Sequence, residues 1–232
     1  MKQKNEMIVE NDIILEYSRW EKMKQFYSKY LMPRLLDWVC GMKAFDKLRK
    51  KTVPLAVGKV LEVGLGTGQN VAHYHPGQVE LVQAIDPAEE LFELARQRIE
   101  SQAIEIVYTP ASAEKLPFED ASFDTVLITF TLCTIPDVEK ALSEMRRVLK
   151  PNGSLIFCEH GFAPEAGVQR WQDRLTPLWK KVAGGCHLNR PITELIQNAG
   201  FEISELDAGY HLDGPKPFTY IFRGIARPIV TG

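Results

Sequence analysis

The order of apolar and polar positions divides the chain into a first stretch with helical spacing and a longer one in which strands alternate with helices. Up to about residue 52, apolar side chains such as Leu31, Leu35, Trp38 and Met42 recur every three or four positions, which predicts two or three helices. From Gly58 the period changes. Short β-branched, apolar runs at 59–63, 79–85, 104–108, 123–130 and 154–158 predict five strands, with helices over 69–74, 88–100 and 138–149 between them. Such alternation implies a parallel sheet covered on both faces. Pro151-Asn152-Gly153 marks a turn ahead of the fifth strand. Beyond it the spacing predicts a helix over 165–182 with Trp171, Leu175, Leu178 and Trp179 roughly on one side, and Pro177 should end or kink it. A further helix over 192–199 is closed by Gly200. Two last strands follow at 201–206 and 219–226, and 227–232 reads as a frayed end.

Composition adds limits. The chain has 232 residues, 45% apolar and 25% charged, the balance of an ordinary globular protein that can bury a full core. Its formal charge of −2 argues against a general nucleic-acid binder. Charge is uneven, however. Residues 1–52 hold twelve Lys and Arg against seven Asp and Glu, about +5, which leaves about −7 on the remainder. The same segment is rich in aromatics, among them Tyr17, Trp20 and Tyr27. It reads as a helical cap or lid (1–52) on a main domain (53–232), with those aromatics facing an apolar pocket or simply packing helices. No apolar run reaches the roughly 18 residues of a membrane span, and the first ten residues lack a signal-peptide stretch; a cytoplasmic protein is expected. Cys40, Cys133, Cys158 and Cys186 form no Cys-x-x-Cys pair, and the five histidines show no ligand spacing, so reduced thiols and no metal site are expected. His73 and His75 read as surface residues.

The first predicted strand runs into Glu62-Val63-Gly64-Leu65-Gly66-Thr67-Gly68-Gln69. Glycines let a backbone turn sharply and approach a ligand without a Cβ in the way, and a following helix would point free N–H groups at that ligand. Asp86 ends the next predicted strand, where a carboxylate can accept two hydrogen bonds from a ribose diol. The glycine spacing then argues against a dinucleotide. That fingerprint requires Gly or Ala at the sixth position from Gly64, where this chain has Gln69.

Gly64-x-Gly66-x-Gly68, with Glu62 two residues before it, resembles motif I of the class I S-adenosylmethionine-dependent methyltransferases. The resemblance implies that Glu62, Gly64, Gly66 and Gly68 hold the methionine part of S-adenosylmethionine, that Asp86 holds the ribose, and that Pro87 beside it also meets the cofactor. Ser112-Ala113-Glu114-Lys115-Leu116-Pro117-Phe118 is similar to the family's adenine-side segment, which places Ala113 and Glu114 beside the base. Thr129-Phe130-Thr131-Leu132-Cys133 should pass under the methionine part, and 144–153 looks like the family's helix and turn before strand five. The implied fold is α/β and Rossmann-like, a seven-stranded mostly parallel sheet of order 3-2-1-4-5-7-6 with an N-terminal helical lid.

Further along, Glu159-His160-Gly161, Trp171-Gln172, Leu178-Trp179, Gly185-Cys186-His187-Leu188-Asn189-Arg190 and Ala199-Gly200-Phe201 resemble the methyltransferase-like branch whose animal members methylate alkyl thiols. This implies methyl transfer to a small, fairly apolar acceptor, a thiol first of all. A thiolate is the nucleophile, so a neighbouring cation or base should lower its pKa. His160 is the first candidate for that role and His187 the second. Arg190 would hold an acceptor carboxylate or pair with Glu159, while Cys133 reads as a packed thiol and Cys186 as another packed thiol or part of the acceptor wall. The animal members begin with an apolar anchor where this chain has a basic, amphipathic start, so microsomal residence is not implied. Two other readings stay open. One is a phospholipid N-methyltransferase whose basic N-terminal face meets an anionic membrane surface. The other is a nucleotide-binding protein without catalysis. Neither the oligomeric state nor the acceptor follows from the sequence.

Overall fold

The computed structural model describes residues 31–229. By its internal contacts the chain forms two units, Met1–Val39 and Cys40–Gly232. Helix α1 (Met32–Cys40) lies in the first except for its last residue, whereas α2 (Lys43–Thr52) belongs with the sheet in the second. Tyr17, Trp20 and Tyr27 fall outside the described residues.

Seven strands make one sheet: β1 (Gly58–Val63), β2 (Val79–Ile85), β3 (Ile106–Thr109), β4 (Phe123–Thr129), β5 (Leu149–His160), β6 (Phe201–Tyr210) and β7 (Tyr220–Pro228). Their order is β3-β2-β1-β4-β5-β7-β6, with β7 antiparallel to both neighbours and the remaining pairs parallel. The order and the α/β class are those the family resemblance implies. Four more helices connect the strands: α3 (Glu89–Glu100), α4 (Val138–Val148), α5 (Ala166–Val182) and α6 (Ile192–Asn198).

Side chains alternate across a strand, so a strand covered on both faces feeds two cores. Leu61, Val63, Val126, Ile128, Leu155 and Phe157 join Leu142 and Met145 of α4 and Ile196 of α6 in one core. Their neighbours Val60, Leu127 and Ile156 join Val82, Ala84 and Ala95 of α3 in the other. Burying one such side chain stabilises the fold by roughly 1.5–3 kcal/mol, and the rigid sheet that results carries the site at its carboxyl edge.

The fold departs from the sequence reading in five places. No α-helix follows the glycine loop; turns lead to a short 3-10 turn at Val71–His73. The segment is short, and Asn70 and Tyr74 are both drawn back to Glu62. The residues after the loop therefore present no row of free α-helical N–H groups to a ligand. His73 is not a free surface residue, because its Nε2 lies 3.0 Å from the Asp46 carboxylate. Pro151-Asn152-Gly153 is an irregularity within β5, since Phe123 pairs with Leu149 but Thr125 pairs with Ser154. Arg227 and Pro228 are not frayed; they pair with Glu202 and Phe201.

Pro177 does not end α5. The buried residues of that helix are Gln172 and Thr176, while Trp171 and Leu178 are 56% and 65% exposed. Gln172 accepts the Ala163 N–H at 3.1 Å and donates to the carbonyls of Gly161 and Pro217. Thr176 donates to the Gln172 carbonyl at 2.7 Å. This buried polar seam fixes the helix against the loop after β5, and hydrogen bonding here outweighs the apolar periodicity.

Candidate active site

The loop after β1 bends because Gly64, Gly66 and Gly68 take φ values of +81°, +54° and +76°. They serve different purposes. A Cβ at Gly64 would collide with the Thr131 side chain, and one at Gly68 would press on Ala95 of α3. A Cβ at Gly66 would meet nothing within 4 Å. Gly66 therefore borders open space, as a loop must that admits a ligand against its backbone.

Two buried carboxylates flank this space. Glu62 accepts from Asn70 Nδ2 at 2.8 Å and from the Tyr74 hydroxyl at 2.7 Å. Burial pushes its pKa up to about 7, against the opposing pull of those two hydrogen bonds. Asp86 accepts the Gly66 N–H at 2.8 Å on one oxygen and the Ala88 N–H at 2.9 Å on the other. Each oxygen keeps a free lone pair, so Asp86 can shape the loop and still accept from a diol. Burial raises its pKa as well. A buried acid on one side, a diol acceptor on the other and an open glycine between them fit an adenosyl amino acid. Pro87 is exposed at the same edge.

In the segment expected beside the base, Ala113 is buried. Glu114 takes hydrogen bonds from the Ser112 hydroxyl and from the Asp137 N–H at 3.1 Å, so it fastens the segment to the start of α4. Thr129 ends β4 with its hydroxyl engaged by Asn70 at 2.9 Å. The Thr129–Asn70–Glu62 chain of contacts thus ties β4 to β1. Phe130 then adopts φ +55°, a conformation that costs a non-glycine residue and is found where structure is held for function. Its ring packs edge-on against Phe45 of α2, 5.0 Å between centroids, and under the Arg49 guanidinium.

The third part of the site lies beyond β4 and β5. His160, the last residue of β5, places Nε2 2.9 Å from Cys186 Sγ, and the Trp179 indole N–H points at the same sulfur at 3.3 Å. Cys133, buried after β4, joins them. Hydrogen bonds from Cys133 and then from His160 pull the Cys186 thiol down against burial. Burial opposes charge on His160, but Cys186 outweighs it and the net shift is upward. His187 points Nδ1 at the Cys133 carbonyl, 3.0 Å away. Arg190 is buried with its guanidinium on the carbonyls of Leu132 and Ile135. It makes no ion pair with Glu159 and acts as a clamp on the loop that carries Cys133. Glu159 accepts the Thr131 N–H at 2.8 Å on Oε1, while Oε2 finds no partner among the described residues, and burial pushes its pKa up to about 7.

The fold thus gathers the following expected residues onto one edge of the sheet, in two groups. Glu62, the glycines, Asp86, Pro87, Ala113, Glu114 and Thr129 belong to the first, and His160, His187 and Arg190 to the second. Sequence reasoning missed Asn70 and Tyr74, whose only signal was their nearness to the loop. It also missed that Cys133 meets Cys186, which no spacing could reveal.

Comparison with known proteins identifies the family. The family described as a methyltransferase domain matches residues 61–157. The thiol S-methyltransferase TMT1B of Rattus norvegicus is 34% identical over 216 residues, 87% of this chain and 84% of the relative. A phosphatidylethanolamine N-methyltransferase of Cereibacter sphaeroides is 36% identical over 47% of this chain and 54% of its own. Among solved structures, a SAM-dependent methyltransferase of Methanosarcina mazei shares the fold with a TM-score of 0.58 at 21% identity, over 75% of this chain and 93% of that one. The chain belongs to the class I S-adenosylmethionine-dependent methyltransferases. Within that class it is similar over most of its length to thiol S-methyltransferases, and its methyl donor is S-adenosylmethionine.

Proposed function

We propose that this enzyme methylates a small, fairly apolar thiol. The placement of His160 carries the reading: an imidazole at the carboxyl end of β5, against a second polarisable group, where an acceptor thiol would need a cation or base beside it. The similarity to thiol S-methyltransferases supports it. Bound S-adenosylmethionine supplies a sulfonium methyl group, which already has a good leaving group. The protein's share is then alignment and exclusion of water. Glu62 and the glycine loop hold the methionine part, Asp86 and Pro87 the ribose, Ala113 and Glu114 the base, and the backbone at Thr129 runs beneath. His160 keeps the acceptor in its thiolate form, and the loop held by His187 and Arg190 walls the acceptor space. We assign residues 1–52 the part of a lid; their basic excess also offers a peripheral contact with an anionic membrane surface on the cytoplasmic side. No helix among the described residues is long and apolar enough to cross a membrane.

The relative in Cereibacter sphaeroides favours a second reading, N-methylation of a phospholipid head group. Turnover with alkyl thiols, phosphatidylethanolamine and small phenols separates the two. Under the thiol reading, alkyl thiols are methylated and the amine is not. His160→Ala then depresses turnover and moves the pH profile upward, while cofactor affinity stays nearly intact. An unchanged profile removes His160 from the reaction, and turnover of the lipid amine alone overturns the thiol.

A further inference from the structure

Three segments far apart in the chain deliver soft donors to one point. Cys133 lies in the turn after β4, His160 ends β5, and Cys186 lies in the loop between α5 and α6. Their ligand atoms all lie within 4.8 Å of one another. We propose that Cys133, His160 and Cys186 form a site for a zinc ion, with the fourth position left to an exogenous ligand.

The donor set points to the metal. Two thiolates and an imidazole are soft to borderline ligands, which favour Zn2+ over Mg2+ or Ca2+. Three protein ligands with one open position are the pattern of a catalytic zinc, whereas structural sites are closed by four. Among the described residues, no further His, Cys, Asp or Glu joins the group. Cys158 is turned away on β5, packed with Leu48 and Ile221. The size is also near what is needed. Zn–S of about 2.3 Å and Zn–N of about 2.0 Å at a tetrahedral angle separate sulfur from nitrogen by roughly 3.5 Å. The His160–Cys186 contact of 2.9 Å has to open by about half an ångström, a small rotation of the imidazole.

The surroundings hold the ligands in place before a metal arrives. The backbone N–H of His187 and its Nδ1 both engage the Cys133 carbonyl, at 2.9 and 3.0 Å, and so lock the Cys133 turn to the Cys186 loop. Arg190 clamps the same turn through Leu132 and Ile135. The Trp179 N–H directed at Cys186 Sγ suits a metal-bound thiolate, which accepts hydrogen bonds and donates none. Charge balances too, since two thiolates neutralise the dication.

Resting on the thiol reading above, the open position takes the acceptor itself, and His160 then favours the thiolate through the metal it holds rather than as a free base. An R–SH group binds through sulfur and gives its proton to solvent. A sulfur lone pair then attacks the methyl carbon of S-adenosylmethionine. The new S–CH3 bond forms as the sulfonium–methyl bond breaks, leaving a methyl thioether and S-adenosylhomocysteine. The thioether is a weaker ligand and departs.

The test uses the full chain, purified under reducing conditions from zinc-supplemented cells. Elemental analysis should find about one zinc ion per chain, and a fall to roughly a tenth of that or less in Cys133→Ser and Cys186→Ser. Trp179→Phe keeps all three ligands and the fold, and should weaken zinc affinity about tenfold or more. Loaded with Co2+, the protein should show sulfur-to-cobalt charge-transfer absorption, and ethanethiol should shift its d–d bands. Folded wild-type protein without zinc, or zinc retained in both serine variants, overturns the site. A cobalt spectrum indifferent to ethanethiol overturns the acceptor as fourth ligand. Undiminished thiol methylation by metal-free enzyme overturns the metal's part and leaves the thiol reading standing. Zinc binding together with methylation of a lipid amine alone does the reverse.

Discussion

Glu62 sits near the end of β1, and among the described residues its two oxygens accept only from neutral donors, Asn70 and Tyr74. Burial raises its pKa from 4.5 to about 7, so near neutral pH it holds a proton part of the time. Two opposite pH effects follow. Between pH 4.5 and about 7 the folded chain keeps a proton that the unfolded chain has lost, so this residue's contribution to stability falls as pH rises through that window. Glu159, also raised to about 7 by burial, acts in the same direction. Cofactor binding runs the other way. The ammonium of a bound methionine part favours the ionised carboxylate, so affinity should rise with pH and level off above about 7. Calorimetric titration with S-adenosylmethionine should give a gain of roughly tenfold between about pH 6 and pH 8, the span over which one such group ionises. Glu62→Gln should flatten that dependence at a weaker affinity. An equal slope in the variant would mean that Glu62 does not meet the methionine part.

At the scale of elements, the glycine loop separates folding from binding. Gly64→Ala drives a Cβ into Thr131, whereas Gly66→Ala projects one into open space. Both also force alanine into positive φ, which costs about 1 kcal/mol or more. Thermal melts should therefore show the Gly64 variant as clearly less stable than the Gly66 variant. Equilibrium binding should show Gly66→Ala losing cofactor affinity far beyond its modest loss of stability. Equal melting losses with unimpaired binding by Gly66→Ala would remove that glycine from the cradle. The loop was legible because backbone geometry dictates residue type there: only glycine suits three positive φ values so close together. The strands were legible for a similar reason, since continuous burial leaves β-branched runs in the sequence. Elements fixed by long-range polar contacts were not. The helix expected at 69–74 is lost to the contacts of Asn70 and Tyr74 with Glu62, and α5 faces inward with Gln172, which donates to the Pro217 carbonyl, and Thr176, whose hydroxyl accepts the Leu188 N–H. Cys133, His160 and Cys186 meet only after the sheet is assembled, so no spacing announces them.

Over the whole molecule, the residues assigned to the donor are spread through the sheet domain. Glu62 is the penultimate residue of β1, Asp86 follows β2, Ala113 and Glu114 follow β3, and Thr129 closes β4. The parallel ladders β2-β1-β4 set these positions against one another, with Val63 paired to both Ile85 and Ile128. A ligand that touches all of them is lost only when the central sheet opens, so its binding energy adds to global rather than local stability. At a hundred times its dissociation constant, a ligand specific to the folded state stabilises it by about 2.7 kcal/mol. For a chain of this size each kcal/mol is worth about 2–4 °C. S-adenosylmethionine should therefore raise the melting temperature by roughly 5–10 °C, and S-adenosylhomocysteine should act similarly. NAD should leave it unchanged, because the glycine spacing lacks the dinucleotide fingerprint. Asp86→Ala should reduce the shift with S-adenosylmethionine, losing the roughly 1–3 kcal/mol of buried, charge-assisted hydrogen bonds to the ribose. A shift with NAD equal to that with S-adenosylmethionine, or a full shift in Asp86→Ala, would contradict the placement of the adenosyl group across the ends of β1 and β2.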